Sequence, residues 1–216
     1  MIEALLMETL MAAGGGALDW NDFSSVAGAT MPSRVATKAP NGDSCVLLDN
    51  AGASCMRIDL TDVFKGRDFT IGFYINPTSF TGTVGSTPSR GVAIELGPFL
   101  SNNLYFYAAP VNSGYEGDGV AQYPMSPTPV NQWSHIALSL QLSSKKLTGF
   151  VNGVPVSRTL KNIPANFNAY FGGIGDRSGY TGSAQGRYGY RGLMSEIHVT
   201  PTLIDTTFDP LTFPQV

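Results

Sequence analysis

Two histidines, scattered carboxylates and a group of tyrosines make up the chemistry this chain can carry. Glycoside hydrolysis needs two carboxyl groups flanking the scissile bond, one protonated and one ionised. Glu95 stands alone in VAIEL, and Glu196 in GLMSEIHVT shares its expected strand face with Met194 and His198, neither of which replaces a second carboxylate. No catalytic residue is assigned on this basis. His198 reads as a solitary outward residue, with no second histidine or cysteine at ligand spacing to complete a zinc site. Ser134 lacks both a defensible aspartate–histidine arrangement and a nucleophile elbow. Asp118 in YEGDGV and Asp176 in IGDRSG could offer oxygens to calcium, but neither sits in a dense acidic cluster, so no metal or cofactor is expected.

Binding chemistry is better represented. The segment GDRSGYTGSAQGRYGYRG carries Asp176, Arg177, Tyr180, Tyr188, Tyr190 and Arg191, and NSGYEGDGVAQY adds Tyr115 and Tyr123; both read as glycine-rich loops. Tyrosine presents an apolar ring face with a hydrogen-bonding tip, which suits stacking on a sugar. Tyrosine and arginine are equally the residues enriched at protein interfaces. These eight positions are therefore candidates for glycan or partner contact alike.

The elements that must position them are strands. FTIGFYIN alternates, with Phe69, Ile71, Phe73 and Ile75 on an inward face and Thr70, Gly72, Tyr74 and Asn76 on the other, which predicts a half-buried strand ending at Pro77. VAIEL and LYFYA repeat the period, with Val92, Ile94, Leu96, Leu104 and Phe106 inward. In NQWSHIALSLQLSSKKLTGFVNGVPVS, the residues Ile136, Leu138, Leu140 and Leu142 form one face, Ser143 to Lys146 a polar turn, and Asn152-Gly153 a tight hairpin turn. Three strands in a meander follow, the third at a sheet edge because Pro155 has no amide hydrogen. GLMSEIHVT predicts a final strand with Leu193, Ile197 and Val199 inward. Cys45 and Cys55 flank Asn50-Ala51-Gly52 and could face each other across a hairpin, although two reduced core thiols are the favoured reading. Many short antiparallel strands without helical crossovers predict an all-β, two-sheet antiparallel sandwich.

At 216 residues the chain fits one such domain with a short appendage. The formal net charge of −3 provides no field for nucleic acid, and no run of basic residues appears. The opening MIEALLMETLMAAGGG places Ile2, Leu5, Leu6 and Leu10 on one helical stripe. It is too short to span a bilayer and lacks the basic start of a signal peptide. Gly14 to Gly16 then stop the helix and read as a swivel. Residues 1–17 are accordingly an anchoring or oligomerising arm, a helix that leaves its stripe wet unless a surface covers it, and residues 18–216 the sandwich.

The order CVLLDNAGASCMRI, DFTIGFYINP, NQWSHIALS, GFVNGVPVS, FGGIGDRSG, GLMSEIHVTPTLI and TTFDPLTF resembles the laminin-G-like, concanavalin A-like jelly-roll family over residues 35–213. The resemblance implies a lectin-type jelly roll in which His135 belongs to a packing motif. Some enzymes of this fold carry glutamate, aspartate and glutamate at alternate positions of one strand, and this chain has no such strand. A jelly roll with a short apolar amino-terminal peptide further resembles small structural proteins of tailed bacteriophages. That likeness implies a non-enzymatic virion protein made in the host cytoplasm: a head decoration, tail appendage or fibre component. Its expected partners are other virion proteins through the arm, copies of itself and a cell-surface glycan. The alternatives are a stand-alone carbohydrate-binding lectin domain and, less favoured, a glycoside hydrolase.

Overall fold

The structure is a computed structural model and describes residues 15–25, 30–49, 56–64, 66–80, 82–84, 87–96, 104–108, 113–117, 120–163, 167–171 and 190–213. Between 82 and 124, and at 25, 63, 170 and 190, it describes the backbone alone. Among these residues the strands form two antiparallel sheets. The first runs β14 (Val154–Thr159), β13 (Lys146–Val151), β12 (Ser134–Gln141), β6 (Phe69–Phe80), β16 (Tyr190–Ser195), β4 (Ser44–Leu48) and β3 (Ser33–Lys38). Off that path, β17 (His198–Thr200) pairs with β6 and with β1 (Gly16–Ala17). The second runs β11 (Val120–Met125), β10 (Ser113–Gly117), β9 (Leu104–Ala108), β8 (Thr87–Leu96), β15 (Asn168–Phe171), β5 (Met56–Asp59) and β2 (Ser24–Ser25), with β7 (Gly82–Val84) on β8. The expected all-β sandwich is what forms.

The core lies between the sheets and is built by the period-2 residues. Phe69, Ile71, Phe73 and Ile75 of β6 meet Ile136, Leu138 and Leu140 of β12, and Phe171, Met56 and Ile58 come from the opposite sheet. The β12–β13–β14 meander matches the sequence pattern. Asn152 and Gly153 take φ of 51° and 74°, the pair of positive values a two-residue turn of this hand requires. β14, with Pro155, is the edge strand. Leu142 packs against the core as expected.

Several expectations change. β6 runs through Pro77 to Phe80, because Pro77 falls where β16 slips register between Arg191 and Gly192, a bulge that makes no demand on its missing amide. GLMSEIHVT is broken after Ser195 and resumes at His198, both pieces lying along β6. The break shifts the alternation, so Met194 joins Ile197 and Val199 in the core while Leu193 is only half-buried. Glu196 therefore does not share a face with Met194. Cys45 is buried and unpaired in β4, and β5, which follows residue 55, belongs to the other sheet, so the hairpin imagined between the two cysteines does not form. VAIEL and LYFYA pair as β8 and β9, Ile94 opposite Phe106 and Leu96 opposite Leu104; their side-chain directions lie outside the described residues.

β6 is also not half-buried. Thr70 and Tyr74 on its second face are buried: residues 201–213 cross that face over Thr70 as a strap, and Tyr74 packs with Ala39, Cys45, Val35 and Trp133. Ile204 and Phe213, with Phe208 beside them, pack on Ala137 and Phe150. Phe213 sits over Gly72: a β-carbon there would lie 2.8 Å from Phe213 Cε1. At the other end, Gly16 pairs with Val199 and Ala17 with His198. Gly15, at φ 103°, lies so close to Val199 and Thr200 that a side chain would collide with their backbone. Gly15 and Gly16 are thus docked on the sheet edge and do not act as a swivel. Ile2, Leu5, Leu6 and Leu10 lie outside the described residues.

Candidate functional site

The outer face of the first sheet, beside the strap, gathers the polar chemistry of the described residues. Ala39, Pro40, Asn41, Gly42 and Asp43 turn β3 into β4, with Gly42 N–H donating to Ala39 O and Ala39 N–H to Asp43 O. This turn delivers Asp43 to His198, whose Nε2 lies 2.8 Å from Asp43 Oδ2. Asn41 Nδ2 donates to the same oxygen at 2.8 Å. Glu196 completes a group whose ligating atoms all lie within 4.8 Å of one another. His198 is therefore not solitary, and Glu196 does have a second carboxylate beside it, brought from 153 positions away in the sequence by the β4–β16 pairing. Burial pushes the Asp43 carboxyl up, but the hydrogen bonds from His198 and Asn41 and their charge surroundings outweigh it and hold the acid below its usual range. Such spacing could be bridged by one divalent ion. The hydrogen bonds present engage Asp43 Oδ2 from two sides and favour its ionised form, so of the two carboxyl groups Asp43 is the one held as the carboxylate.

Next to this pair lies a second imidazole in a different setting. His135 on β12 is 1% exposed, edge-on to Tyr74 at 4.8 Å and close to Phe213 at 5.2 Å and Phe208 at 5.6 Å. Its backbone N–H donates to Asn152 Oδ1 at 2.8 Å, which ties the strand to the hairpin turn. Its Nδ1 and the Tyr74 hydroxyl are buried without a hydrogen-bond partner among the described residues. Burial first, and then the neighbouring His198, push the His135 pKa down to about 3, with Asp43 pulling weakly the other way. Burial likewise raises Tyr74 to about 12, with Asp209 and Asp43 adding to it. This is the packing role expected for His135, not that of a base.

A small polar cavity of about 50 Å³ opens further along the same face, lined by Ser139, Gln141, Lys146, Thr148, Leu203 and Asp205. Lys146 Nζ and Asp205 Oδ2 close its rim at 3.2 Å, a half-exposed ion pair of small energetic weight.

The sequence-derived binding candidates are distributed differently. Tyr115 and Tyr123 do not lie in a loop: they are direct cross-strand partners in the β10–β11 hairpin, at the edge of the second sheet. The two-residue connection 118–119, an Asp-Gly pair, was the signal that could have shown this. Tyr190 and Arg191 are strand residues of β16 in the first sheet, opposite Phe80 and Ser79, and Arg191 is exposed. Asp176, Arg177, Tyr180 and Tyr188 lie outside the described residues, as does Asp118. The two tyrosine groups thus belong to different sheets. Asp43 escaped the sequence reading because only folding brings it to His198; Asn41-Gly42, a turn signal between two apolar runs, was the one local cue to its position.

Comparison with curated proteins found no match. Among solved structures, Trypanosoma rangeli sialidase in complex with the inhibitor DANA is similar at 10% identity and a TM-score of 0.55, covering 94% of this chain and 36% of that one. The binding domain of botulinum neurotoxin serotype C1 is similar at 10% identity and a TM-score of 0.54, covering 85% of this chain and 44% of that one. This chain therefore spans between a third and a half of those chains, and at such identities the likeness is one of fold. A sequence profile of laminin-G type, described as "Concanavalin A-like lectin/glucanases superfamily", matches residues 50–204. With most of its length matched by that profile and both sheets in place, the chain belongs to the concanavalin A-like lectin/glucanase superfamily.

Proposed function

We propose that the protein is a non-enzymatic bacteriophage virion component, a head decoration, tail appendage or fibre component that is attached through residues 1–14 and displays a lectin-like sandwich. The observation that carries this reading is where the two ends of the sandwich lie. Gly16 and Ala17 pair with β17, and Phe213 packs over Gly72 against His198 of the same strand. The two segments come together beside His198 and Gly72 on the first sheet, so a tether there leaves the second sheet free. The apolar stripe of Ile2, Leu5, Leu6 and Leu10 precedes Gly15–Ala17 in the sequence and gives a tether something to bury. The absence of a one-strand carboxylate set from the sequence supports a non-catalytic role.

Deleting residues 1–14 while keeping Gly15–Ala17 is the test. The truncated protein should fold yet be missing from purified particles; normal incorporation, or absence of the full-length protein from any particle, overturns the reading. A second reading, a stand-alone carbohydrate-binding domain, is favoured by the lectin membership of the family. A glycan array probed with multivalent protein should then show signal that Tyr180→Ala or Tyr188→Ala removes, and a blank array counts against it.

A further inference from the structure

We infer that the strap of residues 201–213 is an acid-opened cover, separable from the sandwich and released when His135 beneath it takes up a proton. The strap supplies two of the three aromatic rings around the imidazole. His135 has the sheet on one side and the rings of Tyr74, Phe208 and Phe213 on the others. Phe208 and Phe213 cover the imidazole from the strap side, while β6 pairs with β12 from Ser134 to Leu140 and β13 from Ile136 to Gln141. A charged imidazole in an aromatic cage without a hydrogen-bonding counter-ion is strongly disfavoured, so protonation and opening must occur together.

The strap is built to separate. Its polar ties to the sheet are few: Thr70 Oγ1–H donates to Thr202 O at 2.7 Å, Ile204 N–H to Ser139 Oγ at 3.2 Å, and Phe208 N–H to Gly153 O at 3.3 Å. Lys146 and Asp205 add the exposed ion pair. The remaining hold is apolar, centred on Phe213 in the Gly72 notch. The charged and titratable groups facing His135 come from each neighbouring element. Tyr74 lies on β6, His198 on β17 and Asp43 on the β3–β4 turn, while Asp209 on the strap acts on Tyr74. Asp43 is engaged by His198 and Asn41 and does not hydrogen-bond His135.

Hydrogen exchange on the full chain tests this, with opening constants corrected for the intrinsic pH dependence of exchange. The amides of Ile204, Phe208 and Phe213 report the strap, and those of β6 and β12 report the body. Below about pH 6.5 the strap's opening constant should rise by up to about tenfold per pH unit and stay well above that of the body amides, whose exchange follows global unfolding. His135→Gln should flatten that slope. Gly72→Ala should leave the strap open at every pH, which shows that the amides report the seating of Phe213. A strap whose opening constant merely equals that of the body at every pH overturns the proposal, and so does an unchanged slope in His135→Gln. The wild-type comparison decides even where that variant does not fold.

Discussion

Between pH 6.5 and about 3 the imidazole of His135 takes a proton in the unfolded chain but not in the folded one. The unfolded state then binds more protons, so stability falls as pH drops through that window, by about 1.4 kcal/mol per unit. Asp43 acts in the same direction lower down: its folded pKa is depressed, so its contribution is complete above its unfolded value and is lost as pH falls through the folded one. Urea midpoints at pH 7, 5.5 and 4 should therefore decline steadily, and equal midpoints would contradict the burial of a neutral His135. Replacing Asp43 by Asn removes a charged acceptor from a mostly buried imidazole and should lower stability by about 1.5–3 kcal/mol in the same assay. Cys45, whose thiol burial lifts to about 11, should resist a thiol reagent in the native protein at pH 8 and react only on unfolding, as peptide mapping of the labelled site would show.

At the scale of elements, the β12–β13–β14 meander is tied together at Asn152. Its φ of 51° and its side-chain bond to the His135 amide both depend on asparagine. Asn152→Ala should cost about 2 kcal/mol, roughly 1 from the left-handed conformation and 1 from the lost bond, read from chemical denaturation. These strands were legible because period-2 alternation and Asn-Gly are local signals. The second face of β6 was not. Thr70, Gly72 and Tyr74 read as a solvent face until Thr202 and Phe213 cover the first two and Ala39, Cys45 and Trp133 pack on the third, and no local pattern encodes those contacts. The break in GLMSEIHVT was hidden for a related reason: one two-residue interruption reverses the alternation without altering the composition. The Asp43–His198 pair, 155 residues apart, follows from sheet order, which the sequence leaves open.

For the whole molecule, the arrangement at β17 divides the amino terminus into two parts with different roles. Removing residues 1–14 should leave the melting temperature within about 2 °C. Removing 1–17 deletes β1, exposes the edge of β17 and should lower it by several degrees. A thermal melt of both truncations distinguishes a sandwich that begins at Gly15 from one that begins at Leu18. The superfamily could be recognised from the order of its strand motifs, whereas the site of attachment could not, since Gly15 and Gly16 look like a flexible run until their neighbours in space are known.

β1 also sets how the protein responds to force. A pull on the amino terminus reaches Gly16 and Ala17 early, and among the described residues they are held by their pairing with β17 and by the Leu18 N–H bond to Ile197 O at 2.7 Å. The ladder between β6 and β12 is loaded only after that short strand lifts away. β1 would therefore serve as a mechanical fuse: it yields under tension, lengthens the tether by a few residues, and re-pairs with β17 when the load is removed, with the sandwich intact throughout.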